Sequence, residues 1–293
     1  MQGASFDDGS KSAQENLSQH LREVMARHKI PSPPVVVTKV LGMLKDPDFS
    51  LRQLSRIISD DPSLASRTLA ISRSAKYAQR RQPGTVHEAI LVLGLQTLRN
   101  IVLAIAAQSF LARNSKIAKK LWSHSLGAGL AARILARRSG FGDPELAFLA
   151  GLLHDVGEMI LLHGDPRGFE EIVEEVQHDK VSLVDREKEI YAFDHPSIGV
   201  ALLEFWNIDA EISDAVLRHH EHDGKPEAKS LPTILRMADH LCLKADLGFF
   251  SETSAPIYRV CCAFGCEDEA ALEALAQEVR TAYDEESALF TPA

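Results

Sequence analysis

A surplus of basic charge is missing from this chain: 32 Lys and Arg stand against 41 Asp and Glu in 293 residues, a formal net charge of -9. With a pI of about 5.7 there is no positive field to gather phosphate backbones or anionic lipid, so neither nucleic acid nor a membrane surface is an expected partner. The short basic runs Arg80-Arg81, Lys119-Lys120 and Arg137-Arg138 read as solvated helix faces. Cysteine is equally sparse. Cys242, Cys261, Cys262 and Cys266 all fall in the last quarter and none has the C-x-x-C spacing of a zinc ribbon, so small buried thiols in a reducing cytoplasm are expected. The opening MQGASFDDGSKSAQ lacks the apolar stretch of a secretory signal. The longest nearly apolar run, Ile101 to Ala107 continued by Phe110 to Ala112, falls short of a membrane span. No repeat or low-complexity tract marks a solenoid, and no receiver, sensor or DNA-binding segment is recognisable, so any input signal is expected in trans.

What is present is ordinary globular material, 45% hydrophobic and 25% charged, rich in Ala and Leu and therefore inclined to helix. Apolar spacing and start and stop signals predict helices over Gln14 to His28 and Val35 to Leu44. Ser50 caps Leu51 to Ile58, Asp61-Pro62 opens the next helix, and Thr85 caps a segment to Leu93. Gly94 then leads into a long apolar helix from about Gln96 to Leu111. Further helices are predicted over Ile117 to Arg138, Pro144 to His163, Phe169 to Gln177, Asp185 to Ile190, His195 to Phe205, Ala210 to His219, Leu231 to Leu247 and Asp268 to Ser287. The strand-like Val35 to Val37 and Val260 to Cys262 are short and isolated, so a sheet would have nothing to pair with. The expected class is all-α. Its expected organisation is a disordered tail (1-14), a smaller helical-bundle subdomain (15-114), a metal-site subdomain (115-247) and a C-terminal helical extension (248-293).

The chemistry is concentrated after residue 120. His154-Asp155 follows the apolar stretch Leu146 to Leu153, where a buried helix needs a reason to carry two polar side chains. Metal ligation is such a reason, because imidazole and carboxylate suit divalent transition metals and adjacent residues on one helix point about 100 degrees apart. His219-His220 repeats the adjacency on another helix, and His124, His195 and Asp239 lie on separate elements that could converge with them. Singly, each histidine reads as a surface or satisfied core residue; together they read as a pocket.

The order H, HD, HH, D is similar to the HD superfamily of metal-dependent phosphohydrolases. The fuller context, LWSHSLGAGLAARIL (Leu121 to Leu135), AFLAGLLHDVGEMIL (Ala147 to Leu161) and DHPSIGVALLEFWNI (Asp194 to Ile208), resembles the HDOD branch, an HD-related output domain of bacterial signalling proteins. DPSLASRTLAISRSAKY (Asp61 to Tyr77) and AILVLGLQTLRNIVLA (Ala89 to Ala104) resemble that branch's N-terminal helical subdomain, so the resemblance covers roughly residues 20 to 245. It implies an HD-type helical domain in which His124, His154, Asp155 and Asp239 ligate metal, with His195, His219 and His220 as additional ligands. The cofactor implied is one or two divalent ions (Fe, Mn, Mg or Zn), with Asp155 as the bridging and catalytic carboxylate and a second carboxylate such as Glu221 orienting the imidazoles.

Two departures weigh on activity. Catalytically active relatives usually carry lysine where this chain has Glu158, and an acid there repels a phosphodiester. The stretch HHEHDGKP (His219 to Pro226) is similar to the start of the HD-GYP phosphodiesterase signature but lacks its glycine-tyrosine-proline end. Arg73 also stands where the branch commonly has asparagine. The expectation is therefore a signalling protein that binds a protein partner around a metal-holding pocket. The alternative is a metal-dependent phosphohydrolase acting on a nucleotide or cyclic dinucleotide; whether the chain is an enzyme stays open.

Overall fold

The computed structural model describes residues 34–74, 77, 82–111, 115–179, 181–221, 226–248 and 257–290. The expected tail and the helix over Gln14 to His28 lie outside the described residues. Helices are the only regular elements among those described. Four come first: α1 (Val35–Lys45), α2 (Leu51–Ser59), α3 (Pro62–Ser72) and α4 (Val86–Gln108). Their starts follow the sequence signals. Ser50 accepts from the Gln53 amide, Asp61 from Leu64 with Pro62 just inside, and Thr85 with Glu88 closes a reciprocal capping box. Gly94, at φ 77, breaks the long α4 where the sequence placed a join between two segments. Arg73 ends α3 and donates from Nε to the Pro83 carbonyl (2.8 Å), tying that end to the turn before α4.

The site-bearing helices follow: α5 (Lys116–Ser139), α6 (Pro144–Leu153), α7 (Val156–Gly164), α8 (Pro166–Asp179), α9 (Leu183–Tyr191), α10 (His195–Phe205), α11 (Ala210–Arg218) and α12 (Leu231–Lys244). The strand-like Val260 to Cys262 lies inside the helix α13 (Ile257–Ala263), and α14 (Glu269–Phe290) completes the described fold. The predicted helix from Pro144 to His163 is two helices, because the chain breaks at His154-Asp155. The predicted Ala210 to His219 helix stops at Arg218.

One buried cluster runs from Val37 to Phe290, so helices from both halves share a core. α5 lies along α6 and α12 packs on α5. Close approach is the reason for small residues here: a Cβ on Gly151 would fall 2.5 Å from the Ala128 carbonyl oxygen, so only glycine lets α6 seat against α5. Two segments, Val86–Gln108 and Pro144–Gly164, are long and apolar enough to cross a membrane, which the run-length reading missed; most of each window, 56% and 89%, is buried inside the protein.

Candidate metal centre

His154 and Asp155 occupy the break between α6 and α7, not successive positions on one helix. His154 caps the C-terminus of α6 while Asp155, at φ -104 and ψ 21, leads into α7. His219 and His220 stand in the same way just past the end of α11. The expected 100-degree splay therefore gives way to a sharper device: leaving the helix frees both side chains of each pair to turn inward. His124 comes from the middle of α5, His195 from the first position of α10 and Asp239 from α12.

All seven converge, in two sets joined by one carboxylate. Asp155 Oδ2 lies 3.0 Å from His124 Nε2 and 3.0 Å from His154 Nε2, and His124 Nε2 is 3.2 Å from Asp239 Oδ1. The other oxygen, Oδ1, lies 3.4 Å from His219 Nε2 and 3.6 Å from His195 Nε2, and His195 Nε2 is 2.9 Å from His220 Nε2. Donors sharing an ion at roughly 2.0–2.2 Å lie about 2.8–3.6 Å from one another, so these separations fit a divalent metal in each set. His219 Nε2 is buried and makes no hydrogen bond beyond its 3.4 Å approach to Asp155 Oδ1, which suits it to ligation.

Ring orientation supports the same use. His154 Nδ1 donates to the Gly151 carbonyl (2.8 Å), His219 Nδ1 to the Val216 carbonyl (2.6 Å) and His195 Nδ1 to Glu187 Oε2 (2.7 Å). Each of these bonds assigns a proton to Nδ1 and leaves Nε2 as the ring nitrogen that faces the cluster. Glu187 was not foreseen. It is fully buried on α9 and also accepts from the His195 backbone amide (2.8 Å), whereas Glu221, the carboxylate expected to steady an imidazole, is exposed and pairs with Arg218. A signal for Glu187 existed in the stripe Leu183, Glu187, Tyr191, in which an acid holds the central inward position while Ile190 points outward, 47% exposed.

At Asp155, Asp239 and His195, neighbours of opposite charge outweigh burial. Burial alone would raise Asp239, yet the hydrogen bond from His124 takes it down to about 2, and His154 with its neighbours holds Asp155 well below the usual carboxylate range. Burial alone would lower His195, but the adjacent Glu187 lifts it to about 10. Glu158 behaves oppositely. Burial, then the Asp155 carboxylate, pushes it well above the ordinary value. It sits 3% exposed in the first turn of α7, against the N-terminus of α10. That contact is possible because Gly157 has no side chain, a Cβ there falling 2.0 Å from the His195 carbonyl oxygen.

The chain matches the sequence model of the HDOD domain over residues 30–222. It belongs to the HDOD family. The match takes in His124, His154, Asp155, His195, His219 and His220, whereas Asp239 and the last helices lie beyond it. An HDOD domain protein of unknown function from Geobacter sulfurreducens is 25% identical with a TM-score of 0.69, over 94% of this chain and 97% of that one. A candidate phosphohydrolase from Shewanella amazonensis SB2B is likewise 25% identical at a TM-score of 0.69, over 94% and 96%. An uncharacterised protein of Treponema pallidum (strain Nichols) is 25% identical over 201 residues, 68% of this HDOD chain, which spans 39% of that relative's length.

Proposed function

We propose that this HDOD protein is a regulatory component of a bacterial signalling pathway that works by binding a protein partner, with a divalent metal in the pocket as a structural or sensory element. His124, His154, Asp155 and Asp239 would hold one ion and His195, His219, His220 and Asp155 a second. The observation that carries the regulatory reading is Glu158. It is a buried acid on the helix that follows Asp155, where hydrolysis would call for a cation to receive substrate phosphate. The likeness to a candidate phosphohydrolase is in keeping with a metal pocket and leaves the choice between the two readings to the residues.

One observation favours a second reading, a metal-dependent phosphohydrolase acting on a nucleotide or cyclic dinucleotide: Asp155 offers one oxygen to each donor set. A bound divalent ion supplies Lewis acidity and a water of lowered pKa. The chain's part would be to fix Asp155 between the sets, to aim the Nε2 atoms and, through Glu187, to hold His195 in one tautomer. The test is metal analysis of purified protein followed by turnover of bis(p-nitrophenyl) phosphate with added Mn, Fe or Mg. Stoichiometric metal without turnover above that of His154→Ala is expected; turnover that His154→Ala abolishes would reverse the order of the two readings, and absence of metal would remove both.

A further inference from the structure

Glu158 and Glu187 are the deepest acids near the site, 3% and 0% exposed, and belong to neither donor set around Asp155. They reach one spot from α7 and α9, beside His195, with a donor atom of each of the three within 4.8 Å of the others. Each keeps one carboxylate oxygen, Oε2 of Glu158 and Oε1 of Glu187, buried and without a hydrogen-bond partner. Among the described residues no lysine or arginine forms an ion pair with either; Glu187 pairs with His195. Two such acids side by side repel one another and have lost the water that would hydrate them, an arrangement that protein interiors hold when a cation or a shared proton lies between the oxygens.

We propose that Glu158 and Glu187 hold a further divalent cation of the hard, oxygen-seeking class, separate from the ions of the histidine cluster. His195 is the partition between them. Its Nε2 faces Asp155 and His220, while its Nδ1–H is engaged by Glu187 Oε2, which leaves Glu187 Oε1 and Glu158 Oε2 for the ion. A donor pair made of carboxylate oxygens selects Mg, Mn or Ca over softer metals, and a double positive charge balances both acids. Glu158 is thereby a cation ligand in its own right and not merely a missing lysine. The inference needs neither reading of the histidine cluster, although a cation held at Glu158 would remove the repulsion on which the regulatory reading rests.

Manganese is the probe. Crystals of the full chain soaked in MnCl2 should give an anomalous peak within about 2.0–2.6 Å of one oxygen of Glu158 and one of Glu187. In solution, Mn bound per metal-stripped chain, counted by electron paramagnetic resonance, should fall by one equivalent in the isosteric Glu158→Gln. The equivalent that Glu158→Gln loses should be retained in His154→Ala, which removes a ligand from only one of the two histidine donor sets. No peak between the two glutamates, or a Glu158→Gln protein that binds as many ions as wild type, means that the carboxylates share a proton and overturns the proposal; so does a His154→Ala protein that binds none. A filled acid site beside an empty histidine cluster would sustain this inference and sink the metal reading of the cluster instead. The crystal measurement uses the wild-type chain and so stands even if a variant fails to fold.

Discussion

Glu187 shows how much one side chain can decide. Its Oε2 accepts from both the backbone amide and Nδ1 of His195, so it caps α10 and fixes the ring's tautomer at once. Replacing it with glutamine keeps the volume but places an uncharged amide against the ring, and loss of such an outer partner typically weakens metal affinity about 10–100-fold. Competition with a chromophoric chelator should show that loss in Glu187→Gln; unchanged affinity would mean that His195 is held by packing alone. Protons compete for the same atoms. In the metal-free protein His195 titrates at about 10 and His124 is also raised, so at neutral pH both imidazoles must give up a proton before they can ligate. Metal affinity should therefore rise with pH from neutrality towards 10, and calorimetry in buffers of different ionisation enthalpy should detect protons released on binding. The linked stability has the opposite slope. His195 has its folded pKa raised above the ordinary 6.5, so its contribution to the metal-free fold is complete below that value and fades as pH climbs towards 10.

At the level of elements, the site depends on where helices stop. Caps were legible because they are local: Ser50, Asp61 and Thr85 each hold the amides that their sequence position suggests. The break at His154-Asp155 was not, since neither position holds proline or glycine and apolar residues resume directly after the pair at Val156. What bends the chain there is tertiary, the abutment of α7 on α10 at Gly157. For the same reason the residue types of the pocket were readable and its pairing into two sets was not, because the division depends on which Asp155 oxygen each imidazole meets. Gly157→Ala would drive a methyl into the His195 carbonyl, and overpacking of this kind typically costs about 1–3 kcal/mol. Thermal unfolding should show that loss together with weaker metal retention, since the displaced backbone carries His195. Gly42→Ala, inside α1 where an added Cβ meets nothing within 4 Å, is the control expected to leave metal retention unchanged and to raise stability by about 1 kcal/mol at most through helix propensity.

Across the whole molecule, α14 is the element that joins the distant parts. Near its end the Phe290 carbonyl accepts from Arg67 Nη1 (3.3 Å) and Gln108 Nε2 (2.6 Å), on α3 and α4. One face meets the site helix α5, where Tyr283 Oη donates to Ser123 Oγ (2.9 Å), next to His124. Arg133, on the same α5 and 5% exposed, lies over the Phe148 ring and pairs with Glu286 (2.6 Å) more closely than with Glu145 (3.9 Å). That pair is the test of the joint. Glu286→Ala leaves a buried guanidinium with a distant partner, and breaking a buried pair from one side costs about 3–5 kcal/mol. Adding Arg133→Met should recover much of the loss, because a flexible apolar side chain can refill the space over Phe148 without a charge to desolvate. Denaturant unfolding of the wild type, the single variant and the double variant measures both steps. If Glu286→Ala unfolds at the wild-type midpoint, α14 is not fastened to the site helix through this pair, and the coupling rests on the Tyr283–Ser123 hydrogen bond, the Arg138–Glu278 pair and buried apolar residues such as Leu272, Leu275 and Val279.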